Sequence, residues 1–400
     1  MPIEDTMARA VCHARVSLSR LWDADITLGQ PDPFGDGYGA YRVPVESTSP
    51  NTPDTVVFKV YELEQPARHH AFCREAAGWT LLEEVSLAER PLPEYYGCDP
   101  EQGYVILEDL RGWEKVSMLL RGDWSTRIEL GEHADPIQDR EIAEDAIKAH
   151  WCALGRLHAA TAGHETRHEE IQASFDRDVS LPDGPLNLSY TDTIDRFRHI
   201  CEAAGVSPLP GSEASIETSL SATMDPPFRT FLHGDPAPAN ALYHEGRCKL
   251  IDFEDSRYGG ALSDAVHIHT GFHTSWCAGQ LPDRLKREAD KAFRAELSAA
   301  YPGVLSDDVF YGHIAEHSVV RVMRTWRHWT GKNLMQEDIT WGRATVRQRF
   351  LSRLERAVYW TAKLGYLNSV GATFARVLEQ LKNTWPASVH TMPSFPAFTD

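Results

Sequence analysis

The 400-residue chain has no apolar run approaching the roughly 18 residues that a membrane-spanning helix needs. It also has no internal repeat and no low-complexity block. Its seven cysteines, at 12, 73, 98, 152, 201, 248 and 277, form no Cys-x-x-Cys pair and are odd in number. That excludes a disulfide framework and a cysteine zinc site, and fits a reduced compartment. Positive charge is in short supply: 40 Lys and Arg stand against 58 Asp and Glu, giving a net charge of −18 and a pI of about 5.4. This balance argues against nucleic acid or an anionic membrane as a partner. It is compatible with a cationic ligand, although a solvated acidic surface explains it as well. The opening Met1-Pro-Ile-Glu-Asp-Thr-Met lacks the apolar stretch of a secretory signal. A cytoplasmic protein is the expectation.

With 42% hydrophobic and 24% charged residues, a chain of this length buries a large core and is expected to form two domains or lobes. Residues 4–22 show helical spacing of Ala, Val and Leu. A Gly/Pro-rich stretch around Tyr38, Tyr41 and Val43 leads to the β-rich run Val56–Tyr61. The spacing predicts a helix over 69–84, and Tyr104–Leu107 reads as a further strand. The expected division is therefore a β-rich lobe over 1–108 and a mainly helical lobe over 109–400. In the latter, Ala146–Ala160 is amphipathic, 165–225 reads as an insertion, and 283–381 is helical. A strand pair, Asn240–Tyr243 and Lys249–Phe253, flanks the polar turn His244-Glu-Gly-Arg247.

The chemistry concentrates at His233-Gly-Asp235-Pro-Ala-Pro-Ala-Asn240 and Ile251-Asp252-Phe253-Glu254. An Asp, an Asn and a second Asp around two short apolar runs suit phosphoryl transfer. One carboxylate orients the attacking hydroxyl, while an amide and a carboxylate hold the magnesium that neutralises phosphate charge. Upstream, in order, come a glycine-bearing loop with Gly35, Gly37 and Gly39, a strand lysine, Lys59, and a helix glutamate, Glu75. Singly, each is unremarkable: loops are often glycine-rich, and strand lysines and helix glutamates are commonly solvated. In this order beside the Asp–Asn–Asp set, coincidence is a poor explanation.

These segments resemble the aminoglycoside phosphotransferase and choline kinase family, whose fold is protein-kinase-like: a small β-rich lobe and a larger helical one. His233-Gly-Asp-x-x-x-x-Asn240 and Ile251-Asp-Phe253 match its two signature segments. Val57-Phe-Lys59, Arg74-Glu75, Val105–Gly112 and Gly155-x-Leu-His158 resemble further parts of it. The resemblance covers about 24–160 and 228–270. It implies an ATP- or GTP-dependent, Mg²⁺-dependent kinase of a small-molecule hydroxyl, with antibiotics, amino alcohols and sugars in the acceptor range. It assigns Asp235 as the catalytic carboxylate, Asn240 and Asp252 as metal ligands, and Lys59 with Glu75 at the nucleotide phosphates. The backbone at Gly35, Gly37 and Gly39 would cover the phosphates, and that of Glu108 and Leu110 would pair the adenine edge. His233 and Asp264 would give structural support.

Two departures narrow the reading. Asp-Phe-Glu replaces Asp-Phe-Gly and no Ala-Pro-Glu segment follows, which argues against a regulated protein kinase. The glycine loop carries an acid, Asp36, which is unfavourable beside phosphates. A non-catalytic nucleotide-binding protein is the alternative from another class, opposed by the intact set Lys59, Glu75, Asp235, Asn240 and Asp252. His267, His269 and His273 invite a metal, but only 269 and 273 would share a helix face. The acidic stretch 123–145 suits a cationic acceptor and the Arg/Trp segment 321–329 an anionic one; the sequence leaves both open.

Overall fold

Alternation of buried and half-exposed residues along β4 (Thr55–Val60) shows how the first lobe is layered. In the computed structural model, which describes residues 3–34, 39–87, 89–122, 136–175, 189–329 and 334–399 (the side chains of 3–5, 136–138 and 324–329 excepted), β4 lies inside an antiparallel sheet. The strand order is β1 (Ile26–Leu28), β3 (Ala40–Ser47), β4, β6 (Tyr104–Glu108), β5 (Tyr95–Asp99), and β2 (Asp32–Pro33) also pairs with β3. Val56, Phe58 and Val60, with Val43, Tyr104 and Ile106, face Met7, Ala10, Ala14 and Leu18 of the first helix, α1 (Ile3–Leu21). Those four recur at helical spacing and make one apolar stripe. The other face carries Val105 and Leu107 toward α2 (Pro66–Glu84), whose Phe72, Ala76 and Trp79 belong to the main core. Lys59 pairs directly with Val105, so its side chain rises on the α2 side. The sheet is thus sandwiched between two helices and presents one lysine on its inner face.

The second lobe begins with β7 (Glu114–Lys115) and α3 (Val116–Arg121) and is built on α4 (Pro136–Thr161). Ile147, Trp151, Leu154 and Leu157 of α4 are buried in the main core. At Gly155 the lack of a side chain lets α9 (Asp283–Leu297) press close: a Cβ there would lie 2.6 Å from the Phe293 carbonyl. The stretch read as one insertion divides in two. Helix α5 (Glu165–Phe175) packs on α2 through Phe175 and Phe72, with ring centroids 6.3 Å apart. Helices α6 (Tyr190–Ala203) and α7 (Ser212–Met224) instead join α10 (Asp307–Trp329), α11 (Val346–Leu364) and α12 (Asn368–Thr384) around a second core containing Phe197, Val322, Phe350 and Phe374.

Between these helical layers run β8 (Arg229–Leu232), the hairpin β9 (Ala241–His244)–β10 (Arg247–Leu250), β11 (Arg257–Gly260) and α8 (Leu262–His269). The hairpin turns on Glu245 and Gly246, both at positive φ, as a two-residue loop requires. Its second strand stops at Leu250, short of the Phe253 boundary that the apolar run suggested. Asp252 has φ 71°, which no strand accommodates. The C-terminal stretch is irregular but packed: Phe395 is fully buried, and Gln280 bridges to Ser394. No helix among the described residues is long and apolar enough to cross a membrane.

His150 and His168 are among the histidines buried as neutral rings. Burial pushes His150 down to about 3, with His233 nearby adding to the effect. Burial likewise pushes His168 down to about 4, its ring lying against Phe231 and Tyr258. The unfolded chain takes up these protons near pH 6.5, well before the folded chain does. Their contribution is therefore complete above about pH 6.5 and is lost as the pH falls toward 4. His168→Phe should leave the melting temperature at pH 8 close to wild type and flatten its decline between pH 6.5 and 4. An unchanged slope in a pH series of melting curves would contradict burial as a neutral ring.

Candidate active site

Lys59 Nζ contacts both Glu75 and Asp252, joining β4, α2 and the segment after β10. Glu75 is fully buried yet well supplied with donors: besides Lys59 it accepts from the Tyr61 hydroxyl and, at 3.2 Å, from Trp79 Nε1. Burial alone would lower the ammonium's pKa, but the carboxylates of Asp252 and Glu75 outweigh it and hold Lys59 well above its usual value. For Asp252, burial opposes ionisation, while Lys59 more than offsets it and keeps the carboxyl below its usual range. The left-handed backbone at Asp252, costing about 1–3 kcal/mol for a non-glycine residue, aims this carboxylate at the lysine.

The loop after β8 carries the other half of the site. Asp264, at the start of α8, accepts the main-chain N–H groups of His233 at 2.8 Å and Gly234 at 3.2 Å, and His158 Nε2 at 3.1 Å. Burial opposes ionisation of this carboxyl, but the His158 hydrogen bond, foremost, keeps it far below the usual range. Gly234 has φ 88°, and a Cβ there would stand 2.0 Å from the Asp255 carbonyl oxygen. Only glycine lets the loop pass that close to the Asp252 segment. His233 stacks on Phe253 at 4.7 Å and bonds the Ile251 carbonyl through Nε2 at 2.9 Å. Asn240 ends a single 3₁₀ turn, Pro238–Asn240, and its carbonyl accepts the Ile251 N–H at 3.0 Å. Its side-chain Nδ2 donates to the Asp235 main-chain oxygen at 3.0 Å. Asp235, Asn240 and Asp252 therefore share one cross-linked frame.

Asp235 Oδ1 accepts from the Thr274 hydroxyl at 2.8 Å, while Oδ2 has only a long approach, 3.4 Å, from Asn240. Burial raises the carboxyl to about 7; the Thr274 hydrogen bond opposes the rise, and Asp255, Asp252 and Asp264 add to it. Of the neighbouring carboxylates, Glu254 pairs with Arg68 at 3.4 Å and Asp255 lies 3.7 Å from Arg74, while Asp252 pairs with Lys59.

The sequence-predicted residues divide as follows. Lys59, Glu75, Asp252, Asp235, Asn240, His233 and Asp264 come together in the cleft. Gly39 lies beside them at the end of the glycine loop, with φ 81°, and its carbonyl accepts the Val60 N–H. Gly35, Gly37 and Asp36 are outside the described residues, as are 123–135 of the acidic stretch and the side chains of 324–329. Glu144 and Asp145 are engaged locally, with Arg284 and with the Tyr243 hydroxyl. Glu108 N–H is committed to the Glu94 carbonyl at 2.8 Å and Leu110 O to the Trp113 N–H at 3.2 Å. Asp109, beside them, is fixed bidentately by Arg42 and by Thr55.

The predicted face-sharing of His269 and His273 fails: the helix ends at His269 because Gly271 and Phe272 turn left-handed. His267 stacks on His273 instead, at 5.8 Å, and His269 bonds Asp290. Sequence reasoning missed Thr274, 39 residues from Asp235, and gave no role to Arg74 of the Arg74-Glu75 segment, whose Nε donates to the Glu254 carbonyl at 2.5 Å. Nothing local marks Thr274.

The model of the phosphotransferase enzyme family matches residues 32–303. No curated protein matches. Among solved structures, the chain is similar to choline kinase LicA from Streptococcus pneumoniae, at 14% identity and TM-score 0.41 over 88% of this chain and 98% of that one. It is also similar to amicoumacin kinase hAmiN in complex with AMP-PNP, Ca²⁺ and Ami, at 14% identity and TM-score 0.42 over 92% of each chain. A thermostable mutant of aminoglycoside phosphotransferase APH(4)-Ia is similar at 10% identity and TM-score 0.37, over 92% of this chain and 98% of that one.

The Thr274 hydroxyl favours the ionised form of Asp235, so its removal acts in one direction. Thr274→Val should move the Asp235 titration upward from about 7, read by carboxyl-¹³C NMR on the isolated protein. A downward shift or none would contradict the geometry.

Proposed function

The chain belongs to the phosphotransferase enzyme family, and from that premise we propose that it transfers the terminal phosphoryl group of ATP or GTP, with magnesium, to a hydroxyl of a small molecule. One observation carries this reading. The Lys59 ammonium is held by Glu75 and Asp252, and the Asp252 segment is tied through Asn240 to a second carboxylate, Asp235, whose Oδ2 carries only a long 3.4 Å contact from Asn240.

On this reading each group has a definite task. Lys59 has three N–H donors, and its two carboxylate partners leave one for a phosphate oxygen. Glu75 fixes where that ammonium points, and Tyr61 and Trp79 fix Glu75. Asp235 Oδ2 accepts the acceptor hydroxyl's hydrogen bond and takes its proton late. A largely dissociative transition state needs the oxygen aligned more than ionised beforehand. Thr274 holds the other oxygen and so sets the carboxylate's orientation. Glu108 O and Leu110 N–H are the main-chain groups left for an adenine edge, because Glu108 N–H and Leu110 O have partners.

The donor set fits magnesium. Asn240 turns Nδ2 to Asp235, which leaves Oδ1 for a hard cation, and Asp252 offers the oxygen that Lys59 does not engage. Among the described residues no group of three or more His, Cys, Asp or Glu side chains is placed to hold a metal. The remaining ligands would be phosphate oxygens and water. When bound, the ion supplies neutralisation of phosphate charge.

A small-molecule acceptor is favoured by the shortness of the segment after the metal carboxylate. Only residues 253–256 separate Asp252 from β11. That stretch is clamped to α2: Arg74 reaches the Glu254 carbonyl and, at 3.7 Å, the Asp255 carboxylate, while Ser256 Oγ donates to the Arg74 carbonyl at 3.2 Å. This supports the reading that no switchable segment intervenes.

Asp235→Ala should retain nucleotide affinity within about threefold by calorimetry, because Lys59, Glu75 and Asp252 are untouched. Phosphoryl transfer should fall by about 10²–10⁴, the range a positioned proton acceptor contributes. Transfer at the wild-type rate would refute the assignment.

A further inference from the structure

Behind the loop that presents Thr274 lies a cluster of cationic side chains that the phosphoryl chemistry does not use. Arg349 and Arg353 stand one turn apart on α11, with relative exposures of 0% and 1%. Arg349 uses its donors on main-chain oxygens: Nη1 reaches His273 O and Ser275 O, both at 2.7 Å, and Nη2 reaches Trp341 O at 2.7 Å. It thereby grips the residues on either side of Thr274, the partner of Asp235. Arg321 of α10, also buried, donates to Ser263 O at 2.6 Å and faces His273 Nε2 at 3.5 Å.

Arg353 differs from both. Its Nε, Nη1 and Nη2 are all enclosed, and none has a hydrogen-bond partner among the described residues. The charges acting on it are those of Arg349 and Arg321, and no carboxylate contributes. The thiol at Cys277, beside Arg349, is pushed up by burial and stays neutral. His273 is pushed well below its usual value, by burial and then by Arg353 and Arg321, so it stays an uncharged ring. A guanidinium does not escape such a setting by losing its proton. An enclosed cation without a counter-charge costs several kcal/mol, and water satisfies N–H groups without neutralising charge. Five donors in a fixed fork, with two further cations close by, lack an acceptor with negative charge.

We propose that Arg353, with Arg321 and Arg349 around it, forms a buried binding site for a small anion behind the Thr274 loop. Chloride is the chemistry the enclosure favours: the guanidinium nitrogens have no access to solvent, so a compact monovalent ion fits and a bulky one does not. The bound anion would stabilise the packing of α11 against the His273–Ser275 segment, and through Thr274 the position of Asp235. The site stands independently of which acceptor the protein uses.

The test is thermal melting of the full chain at constant ionic strength, with gluconate replaced stepwise by chloride, bromide, acetate or inorganic phosphate. Chloride and bromide should each give a saturable rise of about 2–4 °C. Arg353→Met should abolish that rise and, in gluconate alone, melt above the wild type, because it removes an uncompensated charge; a merely structural arginine would make the variant melt lower in every buffer. Saturation by acetate or inorganic phosphate with chloride and bromide inert would contradict a compact enclosed site and overturn the proposal. A wild-type response flat to all four anions, or an unchanged response in Arg353→Met, overturns the proposal. Should the variant not fold, bromide-soaked wild-type crystals decide: an anomalous peak at the Arg353 guanidinium supports the site, and its absence rejects it.

Discussion

One ammonium holds this protein's cleft in register. Lys59 Nζ lies between Glu75 on α2 and Asp252 on the segment after β10, so the sheet of the first lobe, the helix over it and the second lobe meet at one charge. Glu75 is fully buried, and Lys59, the Tyr61 hydroxyl and Trp79 Nε1 supply its hydrogen-bond donors. Breaking such a buried pair by removing one partner typically costs about 3–5 kcal/mol, so the arrangement is more than a surface decoration. It also requires Asp252 to adopt a left-handed backbone, which ends β10 and sends the chain into the clamped stretch at 253–256.

The second fixed point is Asp264. It collects two main-chain N–H groups and a histidine, and from it the Asp235 loop hangs in a defined shape. Gly234 lets that loop touch the Asp255 carbonyl, and Asn240 ties the loop's far end to Ile251. The two fixed points are thus joined through main chain rather than through long side chains. That rigidity suits a reaction whose barrier is lowered by positioning and electrostatics. Behind the loop, the buried arginines of α10 and α11 extend the same logic: Arg349 pins the residues flanking Thr274, and Thr274 pins Asp235.

Much of this frame was legible in the sequence because it is built from local pattern. The alternation along Val56–Val60, the helical stripe of α1 and the Asp–Asn–Asp spacing each lie within a few turns or strands. What escaped depends on long-range placement. Thr274 reaches Asp235 only because α8 ends at His269 and the chain doubles back through Gly271 and Phe272. The sandwiching of the sheet between α1 and α2, and the division of 165–225 between two cores, follow from packing that no periodicity encodes. Nothing local marks Arg349 and Arg353 of α11, which the fold turns inward.

The measurement that bears most directly on the central claim is a mass-spectrometric screen of hydroxylated small molecules, incubated with the protein, magnesium and ATP or GTP. The account predicts that at least one compound class gains the mass of a single phosphoryl group, dependent on the metal ion. Measurable nucleotide and metal binding with no acceptor gaining phosphate, across sugars, amino alcohols and hydroxylated antibiotics alike, would contradict it.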